Sequence, residues 1–135
     1  MTERINPAGW DTPSGYSNGA LATGRWLAIA GQVGWNERKQ MTSSDFLGQA
    51  AQALRNVATI LRTAGGEPEH LLRMTWYVLD AQEYRANTRP LGTIYREIFG
   101  SCYPAMTLIV VAGLLEEGAR LEIEATAVLP ISSTR

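Results

Sequence analysis

The sequence predicts an α+β domain in which two helices cover one face of a mixed sheet. Two segments show the helical repeat, because apolar residues recur at steps of three and four over Ser44–Ala64 and again after Pro90. Arg120–Leu129 shows the strand repeat, in which apolar and polar residues alternate. Shorter apolar runs lie between these segments, and together the elements give the order ββαβαββ.

The first two strands are predicted to form a hairpin. Leu21–Thr23 and Trp26–Ala30 are apolar runs, and Gly24-Arg25 lies between them. Glycine tolerates the positive φ angle that a tight turn requires. The pattern therefore indicates that these two strands pair with each other.

The first helix is the clearest element of the chain. Thr42 or Ser43 is placed to cap its start, and Gly65-Gly66 supplies the left-handed backbone expected after its last turn. Its apolar stripe consists of Leu47, Ala50, Ala51, Leu54, Val57, Ala58 and Leu61.

The second half of the chain predicts a strand, a helix and two further strands. Arg73–Leu79 is rich in β-branched and aromatic residues, which favour a strand. Pro90 is tolerated in the first turn of the helix that follows, and the apolar stripe of that helix stops at Gly100. Thr107–Ala112 is an almost continuous apolar run, and Gly118 lies in the turn before the last strand.

Charge and cysteine usage limit the function classes. Twelve Lys and Arg residues against thirteen Asp and Glu residues give a net charge of -1, which offers no general attraction for nucleic acid or an anionic membrane. One cysteine and one histidine cannot supply an internal disulfide or a zinc site. Met1–Trp10 has one arginine followed by polar and small residues instead of the apolar region of a signal peptide, and no later stretch approaches the roughly eighteen apolar residues of a membrane span. The sequence therefore predicts a cytoplasmic protein without a metal, a nucleic-acid partner or a membrane partner.

Two helices can cover only one face of the sheet. The predicted strands carry large apolar side chains at Trp26, Ile29, Trp76, Leu108 and Val110. Apolar patches of this kind are rarely left in water. Self-association is the simplest arrangement that covers the second face.

Five short motifs, in this order, together resemble the RidA/YjgF family, the reactive-intermediate deaminases. They are Gly15–Gly19 (GYSNG), Ala30–Gln32 (AGQ), Gln52–Val57 (QALRNV), Tyr103–Thr107 (YPAMT) and Glu122–Ala127 (EIEATA). The match runs from about Pro13 to Val128. The resemblance implies a single RidA-like domain over residues 1–135, with its core at about 13–129.

The resemblance also implies the fold, the assembly and the chemistry. The expected fold is chorismate-mutase-like, and the expected assembly is a homotrimer with three clefts between neighbouring subunits. The expected activity is the cofactor-free hydrolysis of a small enamine or imine metabolite to a ketone and ammonia, with a 2-aminomuconate-like intermediate as one possible substrate.

The resemblance assigns roles to individual cleft residues. Glu122 corresponds to the glutamate that positions the attacking water, and Tyr16 corresponds to the cleft tyrosine. Gly31 corresponds to the glycine whose backbone contacts the ligand, and Thr107 belongs to the substrate-binding motif. Asn87 is assigned the role of the family asparagine.

The chain departs from the family at two of these positions. Met106 stands where the family deaminases have an arginine that grips the substrate carboxylate, and a thioether cannot form that ion pair. The segment around Asn87 is longer than usual by about one helical turn, so Gly92 is the alternative for the asparagine position. Arg89 and Arg96 are interpreted as solvated surface arginines, with a role as substitute cations as the alternative.

Three functions follow from these observations, in decreasing order of support. The first is an enamine or imine deaminase. The second is a trimer that binds a small metabolite without turning it over, because the carboxylate anchor is absent and a fold does not fix an activity. The third is a ribonuclease, which lacks a basic stretch and a pair of acid and base groups.

Overall fold

The computed structural model describes residues 2–131, and its main feature is a mixed sheet with helices on one side. Along the chain the elements are β1 (Glu3–Ile5), β2 (Gly19–Leu21), β3 (Arg25–Gln32), α1 (Phe46–Thr63), a 3-10 turn (Pro68–His70), β4 (Leu71–Val78), α2 (Ala81–Ala86), α3 (Thr88–Phe99), β5 (Ala105–Val110) and β6 (Leu121–Leu129). The predicted α+β class and the one-sided helical layer are confirmed. β1 and the short α2 are additional elements.

The main sheet has the strand order β3-β6-β4-β5. β6 runs antiparallel to both of its neighbours, whereas β4 and β5 are parallel. A parallel pair requires a crossover connection, and α2 and α3 supply it. β3 and β5 are therefore the two edge strands of the sheet.

The predicted hairpin is wrong. β2 pairs with β1 in a separate small sheet, where Arg4 lies opposite Ala20. β3 pairs instead with β6, and a Cβ at Gly24 would lie 3.0 Å from the carbonyl carbon of Leu129. An eight-residue strand needs a partner of similar length to satisfy its backbone groups, and β6 provides it while the three-residue β2 does not.

The start of α1 also differs from the expectation. Asp45 is the cap, because its carboxylate accepts a hydrogen bond from the Gly48 amide at 2.8 Å. The Ser43 hydroxyl donates to the same carboxylate at 2.7 Å, so Ser43 supports the cap. These two hydrogen bonds, the one from Ser43 first, lower the pKa of Asp45. The predicted stop is confirmed, since Gly65 has φ 91° and the Gly66 amide donates to the Leu61 carbonyl at 2.9 Å.

The alternation of β6 divides the sheet into a helix-covered face and an open face. Leu121, Ile123 and Ala125 point towards the helices and are buried in the core. Glu122 and Glu124 point to the other side, which we call the open face.

The apolar side chains expected on the open face are mostly elsewhere. Ile29 and Trp76 are buried in the core, and Leu108 packs against it. Val110 lies in register with the buried Val78, on the helix-covered side of β5. Trp26 alone of the five lies on the open face, where it is 68% exposed. The case for self-association therefore rests on fewer residues than the sequence suggested.

Candidate functional site

The open face carries two carboxylates with different surroundings. Glu122 and Glu124 lie about 7 Å apart along β6. The Tyr77 hydroxyl donates a hydrogen bond to Glu124 at 2.9 Å. Within residues 2–131, the Glu122 side chain forms no hydrogen bond or ion pair. Of the two, Glu122 is the carboxylate available to a bound water or substrate.

The two carboxylates affect the pKa of Tyr77, which lies on β4. The pKa of Tyr77 is raised, chiefly because its hydroxyl donates to the Glu124 carboxylate. Partial burial and the negative charges of Glu124 and Glu122 act in the same direction, while Arg73 acts against them. Tyr77 therefore stays protonated and holds Glu124 in place.

The structure brings Gly31 and Glu122 together. Gly31 lies on β3 at an irregularity in the pairing with β6, between Ile29 and Gln32. A Cβ at position 31 would lie 2.8 Å from the carboxyl carbon of Glu122 and would overlap its Oε2. The close approach of the carboxylate to the backbone is possible because residue 31 has no side chain.

Tyr16 lies in the loop before β2 and is 41% exposed. This loop is attached to the start of β5, because the Ser17 amide donates to the Pro104 carbonyl at 3.0 Å. The Ser17 hydroxyl also donates to the Tyr103 carbonyl at 2.7 Å, and Ser17 pairs with Ala105. The Tyr16 loop therefore lies beside the edge strand β5 of the same chain.

The remaining predicted site residues lie at three separate places. Met106 is on the helix-covered side of β5, in register with the buried Met74. Thr107 is exposed on the open face. Asn87 lies between α2 and α3, where its side-chain amide donates to the Glu83 carbonyl at 2.7 Å.

A cavity of about 540 Å³ opens beside Met106 on the helix-covered side. Aromatic rings form much of its wall: Tyr95 stacks on Tyr103 with centroids 5.3 Å apart, and Trp76 meets Tyr84 edge-on at 6.3 Å. The other lining residues are Ser14, Gly15, Thr88, Arg89, Leu91, Gly92 and Arg96. Asn87 is absent from the lining, whereas Gly92 is part of it. We call this the aromatic cavity.

The charged side chains that line the aromatic cavity are both positive. Arg89 and Arg96 line it, and no aspartate or glutamate does. Neither arginine forms an ion pair among the described residues, where the ion pair found joins Arg120 to Glu83. In addition, the buried indole Nε1–H of Trp76 has no hydrogen-bond partner in residues 2–131, an arrangement that costs about 1–3 kcal/mol.

Sequence reasoning did not place these residues in one cavity. Arg89 and Arg96 are seven positions apart, a spacing that puts both on one face of a helix. That spacing was the available signal, but the sequence does not show which side of α3 faces Trp76 and Met106.

Four of the predicted site residues thus fall into two groups on opposite sides of the sheet, whereas Tyr16 and Asn87 lie on connecting segments. Glu122, Gly31 and Thr107 lie on the open face. Met106 and the aromatic cavity lie on the helix-covered side. One chain does not bring the two groups into a single cleft.

No group of three or more histidine, cysteine, aspartate or glutamate side chains in residues 2–131 is placed to hold a metal ion. Among the same residues, no helix has the length and apolar character needed to cross a membrane.

Comparison with known proteins identifies the family. The family described as Endoribonuclease L-PSP matches residues 9–129. The human protein named 2-iminobutanoate/2-iminopropanoate deaminase is 34% identical over 114 residues, which cover 84% of this chain and 79% of that protein. The chain belongs to the RidA/YjgF family. The resemblance drawn from the five motifs is therefore confirmed.

Other family members agree in sequence and in fold. A RutC family protein from Pyrococcus horikoshii is 29% identical over 128 residues, covering 94% of this chain and 98% of that protein. The crystal structure of a Rid family protein of unknown function from Yersinia pestis, YyfB, has a TM-score of 0.82 and 34% identity, and the match covers 95% and 98% of the two chains. The RidA-like fold extends over nearly the whole chain.

The contact between Tyr77 and Glu124 gives a titration that can be measured. Glu124→Gln removes the carboxylate that chiefly raises the Tyr77 pKa, so Tyr77 should ionise at lower pH, closer to its ordinary value of 10.0. Ultraviolet absorbance of phenolate between about pH 9 and 12 measures this shift. Tyr77→Phe identifies the Tyr77 component of the curve.

The matched control for this titration is Glu117→Gln, which changes an exposed loop carboxylate. It should leave the titration curve unchanged. The same hydrogen bond stabilises the fold below the ordinary pKa and is lost as the pH rises through the raised pKa of the folded protein. A Glu124→Gln curve identical to that of the parent protein contradicts this account of the open face.

Proposed function

We propose that this protein hydrolyses a small imine, or the enamine that tautomerises to it, to a carbonyl compound and ammonia. The observation that carries the proposal is the unpaired Glu122 carboxylate, held by a central strand against the backbone of Gly31. The printed name of the human relative, an imine deaminase, supports the same reaction class.

Glu122 acts as the base in this proposal. As the water oxygen bonds to the imine carbon, a water proton moves to the Glu122 carboxylate and the C=N π electrons move to nitrogen. The resulting carbinolamine takes up protons at nitrogen, its C–N bond breaks, and its hydroxyl loses a proton to leave C=O and NH₃. Because Glu122 projects from a strand between two other strands, its direction is fixed more firmly than a loop would allow.

The reacting cleft forms between neighbouring copies of the chain. Gly31 and Glu122 lie towards the β3 edge of the sheet, while Met106 and Tyr16 lie at the β5 edge. A head-to-tail contact that packs the open face of one copy, beside its β3 edge, onto the β5 edge of the next can close into a ring, and a ring of three matches the assembly that the family resemblance implies. The contact also covers Trp26 and places both groups of residues in one cleft.

The trimer is tested by mass. Multi-angle light scattering at micromolar protein concentration should return about three times the chain mass of 14.8 kDa. Trp26→Glu, which puts a charge on the exposed open-face indole, should lower that mass. A monomer mass for the unchanged protein overturns the proposed cleft.

The neutral Met106 sets the substrate preference. Its thioether offers no ion pair to a carboxylate next to the imine carbon, so short imino acids such as 2-aminoacrylate lose the contact that an arginine would give. The protein therefore prefers a longer conjugated enamine, with a 2-aminomuconate-like intermediate as the proposed type.

The role of Glu122 is tested by Glu122→Gln, which keeps the size of the side chain and removes the base. Ammonia release from a panel of enamines and imines first identifies a substrate for the unchanged protein. The variant should turn it over at least about 100-fold more slowly, with the same mass and the same affinity. Glu117→Gln is the control and should keep full activity, whereas normal turnover by Glu122→Gln shows that Glu122 is only a polar strand residue.

The role of Met106 is tested by restoring the cation. Met106→Arg should raise the hydrolysis of 2-aminoacrylate, although repulsion from Arg89 and Arg96 in the same cavity limits the gain. Met106→Lys is the control, because it adds the charge without the bidentate fork and should gain less. Equal 2-aminoacrylate turnover by the unchanged protein and by an arginine-bearing relative contradicts the proposed preference.

Met106 also favours the second candidate, a trimer that binds a metabolite without reaction. The ammonia screen separates the two functions. If the chain only binds, no member of the panel releases ammonia, and Glu122→Gln behaves like the unchanged protein in every assay.

A further inference from the structure

We propose that the aromatic cavity is a binding site for a flat dicarboxylate, with one carboxylate on Arg89 and the other on Arg96. The identification of this ligand class with the substrate rests on the proposed function, whereas the binding itself does not. The two arginines would thus supply, from helix α3, the anchoring charge that Met106 cannot supply from β5.

The spacing of Arg89 and Arg96 on α3 fits a ligand that carries two anionic groups. Residues seven apart on an α-helix lie two turns apart on the same face, with their Cα atoms separated by about 10 Å. Each guanidinium can form a bidentate pair with one carboxylate. Among residues 2–131, no acidic side chain lines the cavity or pairs with either arginine, so both guanidinium groups are available to a ligand.

The aromatic side chains that line the cavity fit a ligand that is flat between its two carboxylates. The nearly parallel rings of Tyr95 and Tyr103 and the edge-on pair of Trp76 and Tyr84 give the cavity an aromatic wall. Flat conjugated molecules pack well against such rings. Burial keeps the pKa values of Tyr84 and Tyr95 raised, so neither ring carries a negative charge that would repel the ligand.

One buried donor in the wall also lacks an acceptor. Trp76 is 5% exposed, lines the cavity, and has an indole N–H without a partner in the described chain. A ligand that packs on the Trp76 ring changes the surroundings of this N–H, which is itself enclosed by the protein. Met106 adds a neutral, polarizable surface at the strand side of the cavity.

Benzene carboxylates test the proposal, because they contain no C=N bond and cannot be turned over. Terephthalate has carboxylates at opposite ends of a flat ring, phthalate has them side by side, and benzoate has one. Isothermal titration calorimetry of the full-length protein should show terephthalate binding about tenfold more tightly than benzoate or phthalate. Terephthalate should also bind more tightly than cyclohexane-1,4-dicarboxylate, which has both charges but no flat ring.

Two variants remove one anchor each. Arg89→Gln and Arg96→Gln should each reduce terephthalate affinity about tenfold, to the level of benzoate. Arg55→Gln is the matched control, since it makes the same charge change at an exposed position of α1 outside the cavity, and it should leave affinity unchanged.

A spectroscopic signal locates the ligand. The indole N–H resonance of Trp76, identified by its absence in Trp76→Phe, should shift when terephthalate is added to the ¹⁵N-labelled protein. At the same subsaturating concentration, phthalate should shift this resonance much less, because it binds about tenfold more weakly.

The outcomes separate this proposal from the proposed function. Equal affinity for terephthalate and benzoate, or terephthalate binding that neither arginine variant weakens, overturns the dicarboxylate site. Imine turnover that depends on Glu122 but is unchanged in both arginine variants overturns the link between this site and the substrate while leaving the deaminase in place. Terephthalate binding that depends on both arginines, without ammonia release from any imine, supports the site and overturns the deaminase.

Discussion

The structure depends on one constraint, which is the position of β6 between β3 and β4. Both edges of β6 are hydrogen-bonded, so its register is fixed and its side chains must alternate between two faces. Leu121 and Ile123 enter the core beneath the helices, and Glu122 therefore faces the other way. A slip of one residue would bury the carboxylates, so the same register fixes both the core and the candidate base.

The one-sided helical layer explains why the site is divided. α1 and α3 cover one face of the sheet, and the crossover from β4 to β5 creates the aromatic cavity on that side. Gly31 and Glu122 lie on the uncovered side, near the opposite edge strand. In the proposed function, a second copy brings its open face to the β5 edge, so the proposed activity depends on the proposed assembly.

Charge in this chain is distributed differently from the family pattern. The arginine expected after Pro104-Ala105 is Met106, yet the cavity beside Met106 contains Arg89 and Arg96. Arg89 and Arg96 reach this cavity from α3, whereas Met106 reaches it from β5. In the proposed site, this change keeps the fold and Glu122 and alters which carboxylates the cavity would hold, and one fold can serve different substrates in this way.

The sequence by itself determined what depends on local periodicity and composition. The 3.6-residue repeat predicted α1 and α3, the two-residue repeat predicted β6 and the side of Glu122, and five motifs identified the family. Tertiary structure decided what depends on pairing between distant residues. Gly24 suggested a hairpin, but β3 is paired with β6 about a hundred residues later, because a long strand is satisfied only by a long partner. The approach of Glu122 to Gly31, the attachment of Ser17 to β5, and the entry of Arg89 and Arg96 into one cavity are contacts of the same long-range kind. Local patterns specify which face a residue occupies on its own element, and only packing decides what that face meets.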